Sequence, residues 1–68
     1  MIELNEWDIK TCLNNGVISQ HICILGSCYH IKPSKTIEQA ALLRDELLEY
    51  VKSELEKKNH DVKINKYK

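Results

Sequence analysis

The chain has 68 residues, with an apolar fraction of 43% and a charged fraction of 29%, which predicts one small folded domain over residues 1–68. Ten basic and ten acidic residues cancel, which argues against a strong nucleic-acid binder with a basic surface. No apolar run reaches the roughly 18 residues of a membrane span. The acidic start lacks the apolar segment of a signal peptide, so we expect a cytoplasmic protein that does not bind membranes.

Two turn dipeptides organise the first half of the chain. Asn15-Gly16 is the preferred pair for a type I′ hairpin turn, and Gly26-Ser27 fits a type II′ turn. Hairpins centred there predict antiparallel strands over about residues 6–13, 17–25 and 28–32. This register gathers the large apolar residues on one sheet face: Trp7, Ile9, Leu13, Ile18, Ile22, Ile24, Tyr29 and Ile31.

A helix over residues 4–14 that ends at Gly16 is the alternative for the first segment. It puts Leu4, Trp7 and Leu13 on one side of the helix but leaves Ile9 on the other. The strand interpretation gives every large apolar residue of this segment a place in the sheet, so it is preferred.

A long helix is predicted after Pro33, which ends the sheet because it cannot donate to a strand ladder. Thr36 and Gln39 fit the capping-box pattern, and the helix then runs to about residue 58. Arg44 interrupts its apolar stripe, and we interpret it as a side chain that extends over the sheet edge; an ion pair in a partner interface is the alternative. The stripe comprises Ile37, Ala40, Ala41, Leu47, Leu48, Val51 and Leu55.

The tail over residues 61–68 alternates Val62 and Ile64 with polar residues. This pattern predicts either a fourth strand on an open sheet edge or a free tail. The fold class is therefore α+β: a three-stranded antiparallel meander packed on one long C-terminal helix, with the tail as a candidate fourth strand.

The second face of the predicted sheet is the candidate functional surface. In this register Cys23 lies beside His30, and Lys10, His21 and Lys32 form a row. A half-apolar face of this kind is typical of contact with a protein partner or a second copy. The predicted interaction residues are Lys10, Val17, His21, Cys23, Leu25, Cys28, His30 and Lys32.

Two kinds of chemistry compete for the same face. Cys23 and His30 could act as a nucleophile and its base, but Asp8 would contact the cysteine instead of orienting the histidine. Cys28 and His21 could join them as zinc ligands, yet side chains on a flat sheet diverge and do not close a tetrahedron. We expect no enzyme activity, no catalytic residue, no metal and no cofactor.

The three cysteines do not suggest a disulfide framework. Cys12, Cys23 and Cys28 are odd in number and lack the Cys-x-x-Cys spacing. In a reducing compartment we expect them to be free thiols that behave as small buried apolar residues.

The helix start, with Thr36-Ile37-Glu38-Gln39-Ala40-Ala41 after three strands, resembles two families. One is the AP2/integrase-arm type of DNA-binding domain, which implies base contacts from Lys10, His21, His30 and Lys32. The other is the HicB-like antitoxin domain, with a similar strand-strand-strand-helix-strand order, which implies binding of a partner toxin.

The sequence thus predicts a non-enzymatic protein-interaction module, of an inhibitor or antitoxin kind, that also self-associates. The alternative is a small nucleic-acid-binding accessory domain that uses the exposed sheet face.

Overall fold

The computed structural model of the protein describes residues 1–67. The chain forms, in order, β1 (Ile2–Asn5), a 3-10 helix (Glu6–Asp8), β2 (Lys10–Asn14), β3 (Val17–Ile24), β4 (Ser27–His30), α1 (Ile37–Lys57) and β5 (Val62–Asn65). Strands β2, β3 and β4 make an antiparallel meander, and β1 pairs with β5 in a second, two-stranded sheet. The predicted α+β class and its meander with one long helix are confirmed.

The first hairpin has the predicted register. Leu13 lies opposite Ile18, and the strands join through Asn15 and Gly16. Both turn residues have positive φ angles, 53° and 76°, as a type I′ turn requires.

The second hairpin differs from its predicted register by two residues. Its turn residues are Leu25 and Gly26, with φ angles of 51° and 80°, and Ile22 lies opposite Tyr29 instead of Ile31. Since side chains alternate with a period of two, a shift of two residues keeps every side chain on its face. The apolar face therefore keeps the predicted residues of β3 and β4, but the residues that lie opposite one another differ from the prediction.

The first predicted strand begins too early. Trp7 lies in the 3-10 helix and half of its surface is exposed, whereas Ile9 is buried just before β2 begins. The helix alternative for residues 4–14 is wrong. β1 was not predicted, and its partner is the tail strand β5, in a parallel pairing that places Ile2 beside Val62.

One helix face carries the core. Ala41 and Ile37 of the predicted stripe are exposed, and Leu43, outside it, is only 4% exposed. Thr36 Oγ1 accepts the Gln39 backbone N–H at 3.1 Å, as predicted for the cap. The central cluster comprises Leu4, Ile9, Ile22, Leu47, Leu48, Val51 and Leu55, so both sheets share one core.

No helix within residues 1–67 combines the length and the apolarity that crossing a membrane would need.

Candidate interaction surface

One face of the meander points away from the helix. Ile18, Gln20 and Ile22 of β3 face the helix, and because side chains alternate along a strand, the residues between them point outward. We call this outward side the open sheet face. By the register it carries Lys10, Cys12, Val17, Ser19, His21, Cys23, Cys28 and His30.

A basic row crosses the open sheet face. Lys10 lies opposite His21, and His21 lies opposite His30. The two imidazole rings stack, with centroids 5.3 Å apart and planes 29° apart. The predicted row of Lys10, His21 and Lys32 is thus corrected: His30 occupies the third place, and Lys32 lies beyond the end of β4.

A disulfide lies next to this row. Cys23 and Cys28 are directly opposite in the register and are joined by an S–S bond of 2.05 Å. The prediction of free, buried cysteines is wrong, because these two are linked and Cys12, which is free, is exposed. The nucleophile-and-base interpretation of Cys23 and His30 fails as well, since the sulfur is bonded and faces Cys28.

Among the described residues, no three or more His, Cys, Asp or Glu side chains are grouped so that they could hold an ion.

The eight predicted interaction residues are distributed over this side of the protein. Val17 and His21 are half-buried, and the other six are exposed. Leu25 lies in the turn that ends the open sheet face and is 63% exposed. The structure brings Lys10, His21 and His30 into one row, whereas Lys32 follows the last strand. Their role in binding stays a prediction.

Charge is separated between the sheet and the helix. Strands β2, β3 and β4 contain no Asp or Glu, and their charged residue is Lys10. The helix is anionic by comparison, with basic residues Arg44, Lys52 and Lys57 against a larger acidic set. That set is Glu38, Asp45, Glu46, Glu49, Glu54 and Glu56.

A polar connection between sheet and helix was not predicted from the sequence. The buried Gln20 donates through Nε2 to the Ala40 carbonyl oxygen at 2.9 Å and accepts from Arg44 Nε at 3.0 Å. Arg44 Nη2 also donates to Thr11 Oγ1 at 3.5 Å. The extension of Arg44 over the sheet is confirmed. The sequence did contain a signal for this contact. Gln20 lies between Ile18 and Ile22, two residues predicted to face the core, so its side chain must face inward too.

Beside this connection the helix leaves a groove of about 200 Å³ under β2. We call it the β2 groove; it was also missed, since Ile37 and Ala41 were predicted to be buried. It is lined by Thr11, Ile18, Ile37, Ala40, Ala41 and Arg44.

Comparison with known proteins gives no match: no protein-family model fits the chain, and no curated protein or solved structure is significantly similar to it. No family is therefore assigned to the chain.

Proposed function

We propose that this chain is a non-enzymatic protein-interaction module that binds a partner protein, as an inhibitor or antitoxin does, and that it self-associates. The open sheet face is the proposed contact surface. The observation that carries the proposal is that the helix packs against one side of the meander, whereas the other side presents a disulfide and the row of Lys10, His21 and His30. The exposed Leu25 lies in the turn at the end of that side.

The composition of this surface supports a protein partner. Val17, Leu25 and the Cys23–Cys28 disulfide supply apolar area, and Lys10 supplies a charge at the border. Interfaces that form between folded proteins combine an apolar centre with a polar rim in the same way.

Size and charge support self-association. A core in a domain below about 70–80 residues supplies only roughly 3–5 kcal/mol, and oligomerisation is a common way to add stability. The net charge of zero at pH 7 leaves no overall repulsion between two copies. A symmetric pair would place the same open sheet face on both sides of the contact.

The test compares two exposed leucines. Leu25, in the turn of the open sheet face, is 63% exposed, and Leu42, on the outer side of the helix, is 67% exposed. Leu25→Glu should convert a wild-type dimer into monomers, because it puts a charge into the contact, while Leu42→Glu should leave the dimer intact. Light scattering over a range of protein concentrations measures this.

A wild-type chain that stays monomeric at every concentration contradicts self-association. The partner-binding part is tested separately by affinity capture with the same variants. A partner held by wild type and by Leu42→Glu but lost by Leu25→Glu supports the open sheet face. A partner held equally by all forms contradicts it.

The second candidate function is nucleic-acid binding through the same face. It is favoured by the absence of Asp and Glu from β2, β3 and β4, beside the basic Lys10, His21, His30 and Lys32. Affinity for a labelled duplex should then fall steeply with salt, and Lys10→Ala should reduce that dependence. An apolar protein contact would change little with salt.

A further inference from the structure

The β2 groove lies on the opposite side of the sheet from the open sheet face. Leu13 faces Ile18 across the hairpin and shares its side, yet Leu13 is 72% exposed. Ile37, in the first helical turn, is 79% exposed. The helix therefore does not cover the inner side of β2, and apolar surface remains available there.

The groove contains a cation, Arg44, that has no anionic partner among residues 1–67. Arg44 is half-buried and donates to two neutral oxygens, Gln20 Oε1 and Thr11 Oγ1. Within residues 1–67 no carboxylate lies within ion-pair distance of it; the neighbouring Asp45 pairs with Lys66 at 3.2 Å. A guanidinium has five N–H donors, so donors remain for a bound carboxylate.

The groove also adjoins an open strand edge. In the order β2-β3-β4, strand β2 is outermost. An outermost strand presents backbone N–H and C=O groups without a strand partner, and an extended peptide can pair with such an edge.

We propose that the β2 groove binds an extended segment of a partner protein that pairs with the edge of β2. The segment carries an apolar residue and an Asp or Glu separated by one residue, because side chains two positions apart lie on the same face of a strand. The apolar side chain packs beside Leu13, and the carboxylate meets Arg44. Arginine binds carboxylates through two parallel hydrogen bonds. An Asp or Glu in the segment would therefore complement the charge of Arg44.

The test uses labelled hexapeptides, capped at both ends so that the acidic side chain is the only carboxylate. The base sequence is Thr-Val-Ile-Thr-Glu-Thr, with Leu, Val or Phe replacing Ile and with Asp replacing Glu across the set. Fluorescence anisotropy measures affinity, and amide NMR shifts should map binding to β2 and the first turns of α1. A Glu-to-Gln peptide should bind at least about tenfold more weakly, since it loses the charge-assisted pair.

Two neighbouring helix positions give a matched control. Ala41→Glu places a negative group in the groove and should weaken peptide binding at least about tenfold, whereas Leu42→Glu adds the same charge on the outer side and should stay within about twofold. Arg44→Lys keeps the charge but loses the planar fork, so it should reduce the preference for Glu over Gln. Circular dichroism checks that every variant is folded.

The proposal is overturned if no peptide of the set binds, if Ala41→Glu and Leu42→Glu weaken binding equally, or if Glu and Gln peptides bind alike. It is also overturned if Ala41→Glu disrupts a homodimer, since the groove would then hold a second copy. Because the open sheet face and the β2 groove lie on opposite sides of the sheet, failure here leaves the proposed function of the open sheet face intact.

Discussion

The two hairpins of the meander share β3 but reach their registers by different routes. The first turn, Asn15-Gly16, uses residue types that adopt a left-handed backbone readily. The second turn places Leu25 at a φ of 51°, where an L-residue with a bulky side chain costs about 1–2 kcal/mol.

Contacts distant from the turn explain why the second hairpin accepts this cost. Its register pairs Cys23 with Cys28, so that the disulfide forms, and it places Tyr29 opposite Ile22. The Tyr29 ring also meets Tyr50 of the helix edge-on, with centroids 6.0 Å apart. In the first hairpin the turn dipeptide therefore determines the register. In the second hairpin, cross-strand and helix contacts favour a register different from the one that the turn dipeptide predicts.

The largest expected effect comes from the strand that both hairpins share. Ile22 is 2% exposed at the centre of the core, so Ile22→Ala should lower the free energy of unfolding by about 2–5 kcal/mol. Leu13→Ala, at the exposed end of the first hairpin, should change it by no more than about 0.5 kcal/mol. Urea denaturation monitored by circular dichroism measures both. Equal losses would show that Ile22 contributes no more to the core than the exposed Leu13 does.

The second largest effect concerns the cysteines, which should contribute to stability in the second hairpin but not in the first. Replacing both Cys23 and Cys28 by serine removes a cross-link over a sequence separation of 5, which should cost about 2 kcal/mol for so short a loop. Cys12→Ser, in the first hairpin, should cost little because that thiol is free and exposed. Thermal unfolding with and without a dithiol reductant gives an independent measurement. An unchanged midpoint in wild type on reduction would argue against the disulfide as a determinant of this register.

The smallest effect is expected when the first residues of the two turns, Asn15 and Leu25, are exchanged in type. Leu25→Asn should stabilise the protein by about 0.5–1 kcal/mol, because asparagine adopts the left-handed region at lower cost. Asn15→Leu should destabilise it by a similar amount. Leu25→Ala keeps the backbone cost while it removes the side chain, so it should give no gain. If Leu25→Ala stabilises as much as Leu25→Asn, side-chain exposure and not backbone conformation explains the difference.

The parts of the fold that were predicted correctly depend on local signals. The Thr36 cap, the first hairpin and the extent of the helix follow from spacing within a few residues. The pairing of β1 with β5 has no such signal, because Ile2 meets Val62 across almost the whole chain. The 3-10 helix was missed for another reason. The alternation of apolar and polar residues continues through Trp7, and it predicted that the strand does too.

The two candidate surfaces also contain a part that local signals predicted and a part that they did not. Six of the eight predicted interaction residues lie on the open sheet face, because a two-residue shift keeps each side chain on its face, whereas Leu25 lies in the turn and Lys32 beyond β4. The residues that lie opposite one another were not predicted, so the disulfide and the stacked histidines were missed. The β2 groove depends on where the helix axis lies relative to β2. Helical periodicity predicted that Ile37 and Ala41 face the sheet but could not tell that the helix leaves β2 uncovered.

The parallel pairing of β1 with β5 has a consequence for biosynthesis. Residues 2–5 cannot pair until residues 62–65 have been made, and at roughly 5–20 residues per second a ribosome needs about 3–12 seconds for that interval. Leu4, fully buried in the native core, has no strand partner for its segment during this time. The nascent chain therefore completes its fold late, and a translational pause before residue 62 would prolong the exposure of its first strand.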